Sequence, residues 1–130
     1  MSMPRTTVVV VDDDEDNVLV LEVGLQSLGF DVKSARSMQE ALALLDTEHA
    51  DALVTDYSLG DGTAVELLGT LGTKRPRLAV VVTGYGSPEH VAESRAAGFD
   101  AHLVKPIDLR ELERTLRGGD RTTPTTSSAT

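Results

Sequence analysis

Short runs dense in apolar residues alternate along this chain with stretches whose apolar positions recur every three or four residues. The segments 7–11, 31–35, 52–55, 78–82 and 101–104 are predicted to be strands. Those at 8–11 and 78–82 are so uniformly apolar that both of their faces must be covered, as in a parallel sheet. Between them, Val18, Leu21, Leu25 and Leu28 follow helical spacing and stop at Gly29. Ser37 with Glu40 three residues on predicts a capped helix running to about Asp46, and Thr63 with Glu66 predicts a second one over Val65, Leu67, Leu68 and Leu71. Ser87-Pro88-Glu89 reads as an N-cap followed by proline at the first helical position, with Gly98 at the far end. Asp108 with Glu111 opens the last helix, through Leu109, Leu112 and Leu116. Five β-α units in succession argue for an α/β fold, a doubly wound parallel sheet with helices on both faces.

Length and composition narrow this picture. At 130 residues the chain suits one domain. Aromatic residues make up only 3% of it, so the core is expected to be built from Val, Leu and Ala. A net charge of −9 opposes direct contact with a nucleic-acid backbone or an anionic membrane. Without cysteine there is no disulfide or thiol chemistry. No apolar run exceeds five residues, against the ~20 needed to span a bilayer. Met1–Thr7 lacks the apolar stretch of a secretory signal, so a cytoplasmic location is expected. From Gly118 the composition turns to Gly, Thr and Ser, so residues 1–117 are expected to form the domain and 118–130 a disordered tail or linker remnant.

The ends of the strands carry the chemistry. Val8–Val11 runs into five consecutive acids, Asp12 to Asp16, and three later runs end at Asp56, Thr83 and Lys105. In open α/β sheets ligands sit beyond the carboxyl ends of the strands. Adjacent carboxylates stay ionised together only beside a cation. A hard ion such as Mg²⁺ takes oxygen ligands, so two carboxylates and a carbonyl would suit it, with a lysine and a hydroxyl left for the oxygens of a phosphoryl group. In-line phosphoryl transfer requires little beyond such positioning and charge neutralisation.

Four motifs, Val10-Val11-Asp12-Asp13, Leu53-Val54-Thr55-Asp56, Val81-Val82-Thr83-Gly84 and Leu103-Val104-Lys105-Pro106, occur in order at matching spacing. On them the chain resembles the receiver domains of two-component response regulators, from about Thr7 to Arg117. The resemblance implies a flavodoxin-like five-stranded sheet of order 2-1-3-4-5 with five helices. It implies that Asp56 accepts phosphoryl from a phosphohistidine on a sensor histidine kinase or histidine phosphotransfer protein. Asp13, Asp56 and the Ser58 carbonyl would ligate Mg²⁺ or Mn²⁺, with Asp12 acting mainly through a water. Lys105 would pair with the phosphoryl oxygens, Thr83 would hydrogen-bond one of them, and Lys105-Pro106 would be cis. The helix 4, strand 5 and helix 5 region would then switch, and the output would pass to a downstream protein target or to further parts of a larger protein. Two departures stand out. The loop after Asp56 is shorter than usual and lacks proline, similar to receivers fused to hybrid kinases, and the aromatic switch position is His102.

Other readings compete. A haloacid-dehalogenase-type phosphatase would use Asp12 and Asp14, but Asp16 stands where Thr or Val is expected, and no acid pair follows the fourth strand. A flavodoxin-like carrier would need a hydroxyl-rich loop after strand 1, where this chain has acids that repel a flavin phosphate. A docking module that has lost phosphotransfer is opposed by retention of the whole residue set. Asp14, Glu15 and Asp16 suit the positive first turn of a helix without any catalytic role. His49 and His90 are expected at the surface, and Tyr85 is expected either as a plain exposed loop residue or, two residues after Thr83, as one that modulates water access to a phosphoaspartate.

Overall fold

A computed structural model describes residues 6–84 and 88–118. Five parallel strands, β1 (Thr7–Val11), β2 (Asp31–Ala35), β3 (Ala52–Asp56), β4 (Leu78–Thr83) and β5 (Ala101–Val104), form one sheet in the order β2-β1-β3-β4-β5. The expected topology is therefore observed. The helices are α1 (Glu15–Ser27), α2 (Met38–Thr47), α3 (Ala64–Leu71), α4 (Pro88–Ala97) and α5 (Leu109–Gly118), with a 3₁₀ turn at Gly72–Lys74. Gly118 is the last residue of α5, one beyond the expected domain end, a difference within the usual fraying of helix ends. The tail expected after it lies outside the described residues, as do Tyr85 and the Ser87 cap.

Alternation along the central strands divides the core in two. Val9 and Val11 of β1 face α2 and α3, packing with Ala41, Leu45, Leu53, Leu67 and Leu68. Val8 and Val10 face the other way, with Leu21 and Leu25 of α1 and Leu112 and Leu116 of α5. The aliphatic expectation holds for most of this interior, although Phe30 and Phe99 are also buried, one in each half. Asp56 and Thr83, expected just beyond their strands, are the last paired residues of β3 and β4. The ladder continues that far because Asp56 is in register with Val82, and Thr83 with Val104.

Local signals set the helix starts. Asp14 is the N-cap of α1, its carboxylate accepting the Asp16 N–H at 2.9 Å, with Glu15 and Asp16 in the first turn. This is the helix-start role expected of those acids, and it occupies the second acid of the phosphatase alternative. Thr63 and Glu66 form the full reciprocal box on α3. At α2, Ser37 accepts the Glu40 N–H, but the Glu40 carboxylate reaches past the cap to the Arg36 N–H at 2.9 Å. The first turn of α2 gains another acceptor instead. Asp61, from the β3–α3 loop, takes the N–H groups of Met38 and Gln39 at 2.8 and 3.1 Å, which hold its carboxyl below the ordinary range.

Candidate phosphoacceptor and metal site

Parallel register brings the predicted residues to one edge of the sheet. Asp12 follows β1 and is pinned by its N–H to the Ala35 carbonyl at 3.1 Å. It is buried, and its Oδ1 accepts the Asp14 N–H at 3.0 Å. Its Oδ2 lies 3.3 Å from Asn17 Nδ2 and 3.4 Å from Lys105 Nζ. Asp56 Oδ2 lies 3.3 Å from the same ammonium. The Lys105 N–H is held by the Thr83 carbonyl at 2.8 Å, and the Lys105-Pro106 peptide is cis, as expected. Thr83 is buried at the end of β4, directly between the strands that carry Asp56 and Lys105.

One carboxylate oxygen from each of Asp12, Asp13 and Asp56 lies within 4.8 Å of the other two, with Asp13 exposed to solvent. Three carboxylates around one ammonium leave an excess of two negative charges. All the donors are oxygens, so the set fits a hard divalent cation. The electrostatics agree. Burial pushes the Asp56 carboxyl above its ordinary value, and the Asp12 charge adds to this, outweighing the opposing pull of Lys105 and the Tyr57 N–H. Burial alone would lower the Lys105 ammonium, but Asp56 and Asp12 raise it on balance, so it stays charged. Its two contacts are ion pairs at the long end of hydrogen-bond range.

The loop after Asp56 is built to bend sharply. Leu59 donates to the Gly62 carbonyl at 2.9 Å, and Ala64 donates to that of Tyr57 at 2.7 Å. Ser58 is exposed, pairs in an isolated bridge with Thr63, and sits two residues past Asp56. Gly62 lies against the end of the Met38 side chain, and a Cβ there would come within 2.6 Å of Met38 Sδ, so that flexible side chain would have to move.

Sequence reasoning missed one side of the site. Tyr57 shares its N–H between Asp56 Oδ1 and the Val82 carbonyl, both at 2.9 Å. Its ring stacks on His90 of α4, centroids 4.5 Å apart at 17°, and its hydroxyl donates to Glu93. That bond, above all, raises the phenol to about 12. His90, expected at the surface, is therefore half-buried against a ring, with Nδ1 sealed and unpartnered. The correction follows from the Tyr57 stack, which no spacing within one element announces. His49 is solvent-exposed as expected, its Nε2 3.3 Å from Asp51. His102 lies on β5 with Nε2 sealed and unpartnered, and burial, with the nearby charges of His90 and Arg95, lowers its pKa.

No helix among the described residues is long and apolar enough to cross a membrane. Residues 8–117 match the response regulator receiver domain family. The response regulator protein PilR of Pseudomonas aeruginosa is 35% identical over 85% of this chain, which spans only 25% of PilR. An uncharacterised 14.6 kDa protein of Leptolyngbya boryana is 32% identical, with 87% of this chain and 88% of that one covered. Among solved structures, a CheY-like receiver domain protein from Methanospirillum hungatei superposes with a TM-score of 0.81 at 30% identity, covering 89% of this chain and 97% of its own. A response regulator from Burkholderia pseudomallei, solved with a phosphorylated aspartic acid, a calcium ion and citrate, gives 0.80 at 28% identity, covering 85% of this chain and 66% of its own. With the strand order, the acidic cluster and the lysine already in place, this match makes the chain a member of the response regulator receiver domain family of two-component signalling.

Proposed function

We propose that Asp56 accepts a phosphoryl group from a phosphohistidine of a sensor histidine kinase or histidine phosphotransfer protein. A carboxylate oxygen of Asp56 forms the new bond to phosphorus while the phosphorus–nitrogen bond breaks, and the departing imidazole keeps the electron pair and takes up a proton. The observation that carries this reading is the convergence on Asp56 Oδ2 of Lys105 Nζ at 3.3 Å, with the Asp12 and Asp13 carboxylates alongside.

Each residue then has a physical task. Lys105 neutralises the phosphoryl oxygens as charge builds on them, and the Thr83 hydroxyl hydrogen-bonds one of them once the group is in place. The Tyr57 N–H holds the second oxygen of Asp56 and so keeps the carboxylate plane oriented. Asp12, Asp13 and Asp56, with the Ser58 carbonyl, would hold Mg²⁺ or Mn²⁺, which when bound neutralises the excess negative charge on the phosphoryl oxygens. The calcium and phosphorylated aspartate of the Burkholderia response regulator support both assignments. Water attacking phosphorus later releases inorganic phosphate and restores the carboxylate.

The added charge and acceptors bias the α4, β5 and α5 region, including His102, toward a second arrangement that a downstream protein reads. A cytoplasmic location agrees with a kinase donor of that kind. On incubation with acetyl phosphate and Mg²⁺, the wild type gains the mass of one phosphoryl group and Asp56→Asn does not. A gain that persists in Asp56→Asn places the acceptor elsewhere.

A further inference from the structure

We infer that Tyr57 is a positioning residue that couples the phosphoryl state of Asp56 to α4 through its stack on His90. This rests on the phosphoacceptor reading above and adds a route of communication to it. Three observations meet at Tyr57. Its N–H is divided between Asp56 Oδ1 and the Val82 carbonyl at equal distances of 2.9 Å, so any loss of charge on Oδ1 tips the balance toward Val82. Its ring lies nearly parallel to the His90 imidazole, and its hydroxyl donates to Glu93 one turn further along the same helix. The helix it holds is loosely held elsewhere: α4 fully buries a single residue, Ser94, whose Oγ has no hydrogen-bond partner.

The direction of the effect follows from chemistry. Converting the Asp56 carboxylate to an acyl phosphate removes the carboxylate charge and places three charged oxygens beside it. The Tyr57 N–H then meets a weaker acceptor in Oδ1, and its backbone shifts with respect to Val82. The ring moves with that backbone. His90 is held to Tyr57 by ring packing, and its sealed Nδ1 makes no hydrogen bond that would resist a shift. Coupling of this kind is reciprocal, so the packing of α4 also sets how firmly the Asp56 carboxylate is oriented.

The test reads two quantities in one sample: phosphoryl occupancy by mass, and the displacement of the Val91–Ala97 amide resonances on adding acetyl phosphate and Mg²⁺. In the wild type the amides move as occupancy rises. In His90→Ala, which leaves every contact of Asp56 in place, the displacement at equal occupancy falls at least threefold. Tyr57→Phe keeps the stack, loses the Glu93 bond, and retains more than half of the displacement. If His90→Ala folds poorly, His90→Leu removes the flat stacking partner at similar bulk and is expected to show the same loss. A folded His90 variant whose amides move as far as the wild type's at equal occupancy overturns the coupling. Absence of a mass gain in the wild type instead overturns the phosphoacceptor reading on which it rests.

Discussion

The helices that flank the loop after Asp56, α3 and α4, are held in different ways. α3 begins in a reciprocal capping box and buries Ala64, Leu67, Leu68 and Leu71 against the sheet. α4 fully buries only Ser94, and three polar atoms sealed between it and its neighbours, His90 Nδ1, Ser94 Oγ and His102 Nε2, have no hydrogen-bond partner. Apolar packing is close to rigid because interiors are filled to crystal-like density. A contact made of a stacked imidazole and unpaired polar atoms has less to lose by moving. Asp12 and Asp56, at the ends of β1 and β3, stand where the apolar core of the sheet is packed. The face open to change lies on the other side.

Core truncation is the largest way to break this contrast. Leu67→Ala is expected to cost about 2–5 kcal/mol, since the side chain is wholly buried. Val91→Ala on α4, half-buried, is expected to cost less than about 1.5 kcal/mol. Urea unfolding of both variants decides it, and equal losses would show α4 to be as firmly packed as α3.

The ammonium between the acids comes next. Lys105→Ala leaves Asp12 and Asp56 facing each other and Asp13 without a cation. Removing one partner of a fully buried pair costs about 3–5 kcal/mol, but Lys105 is 27% exposed, so a loss nearer 1–2 kcal/mol is expected in EDTA. Because three oxygens still fit a divalent ion, Mg²⁺ should raise the unfolding midpoint of this variant more than that of the wild type. A Mg²⁺ shift no larger than the wild type's would mean that the carboxylates do not share one ion.

A smaller effect tests the helix starts. Thr63→Ala removes one half of a reciprocal box and should cost about 1 kcal/mol. Ser37→Ala should cost less, because Asp61 supplies acceptors to the next two N–H groups of α2 from outside the helix. Thermal unfolding of the pair ranks them, and the reverse order would show Asp61 to be a passive contact.

What could be read in advance divides along the same line as the packing. The β-α alternation, the caps at Ser37 and Thr63, and the clustering of Asp12, Asp13, Asp56 and Lys105 all rest on short-range signals or on strand ends, which parallel register brings together. Asp61 capping α2 and Gly62 against Met38 depend on how a bent loop meets a distant helix, and no periodicity encodes that. The Tyr57 stack is similar: Tyr57 follows Asp56 directly in the chain, yet its partners His90 and Glu93 are on another element. A helix with a weak apolar pattern, as in Pro88–Ala97, leaves its buried face unmarked in the sequence. For that reason His90 read as a surface residue.

The subtlest test concerns His102, on the soft side. Burial disfavours its charged form, and the charges of His90 and Arg95 from α4 act in the same direction, so its pKa in the fold lies below the ordinary 6.5. The folded state then binds fewer protons than the unfolded chain in the interval below 6.5. The corresponding stability is complete above that value and is lost as pH falls through the lowered one. His102→Phe removes both this titration and a sealed, unpartnered nitrogen. The variant is expected to be more stable by about 0.5 kcal/mol at neutral pH, since the ring is only half-buried. Its advantage should widen as pH is lowered from 7 toward 5, read as the difference between the two proteins' urea midpoints so that the carboxylates common to both cancel. A difference that stays flat over that range would mean that protonated His102 is accommodated without cost, and that the surface between α4 and β5 is open enough to hydrate it.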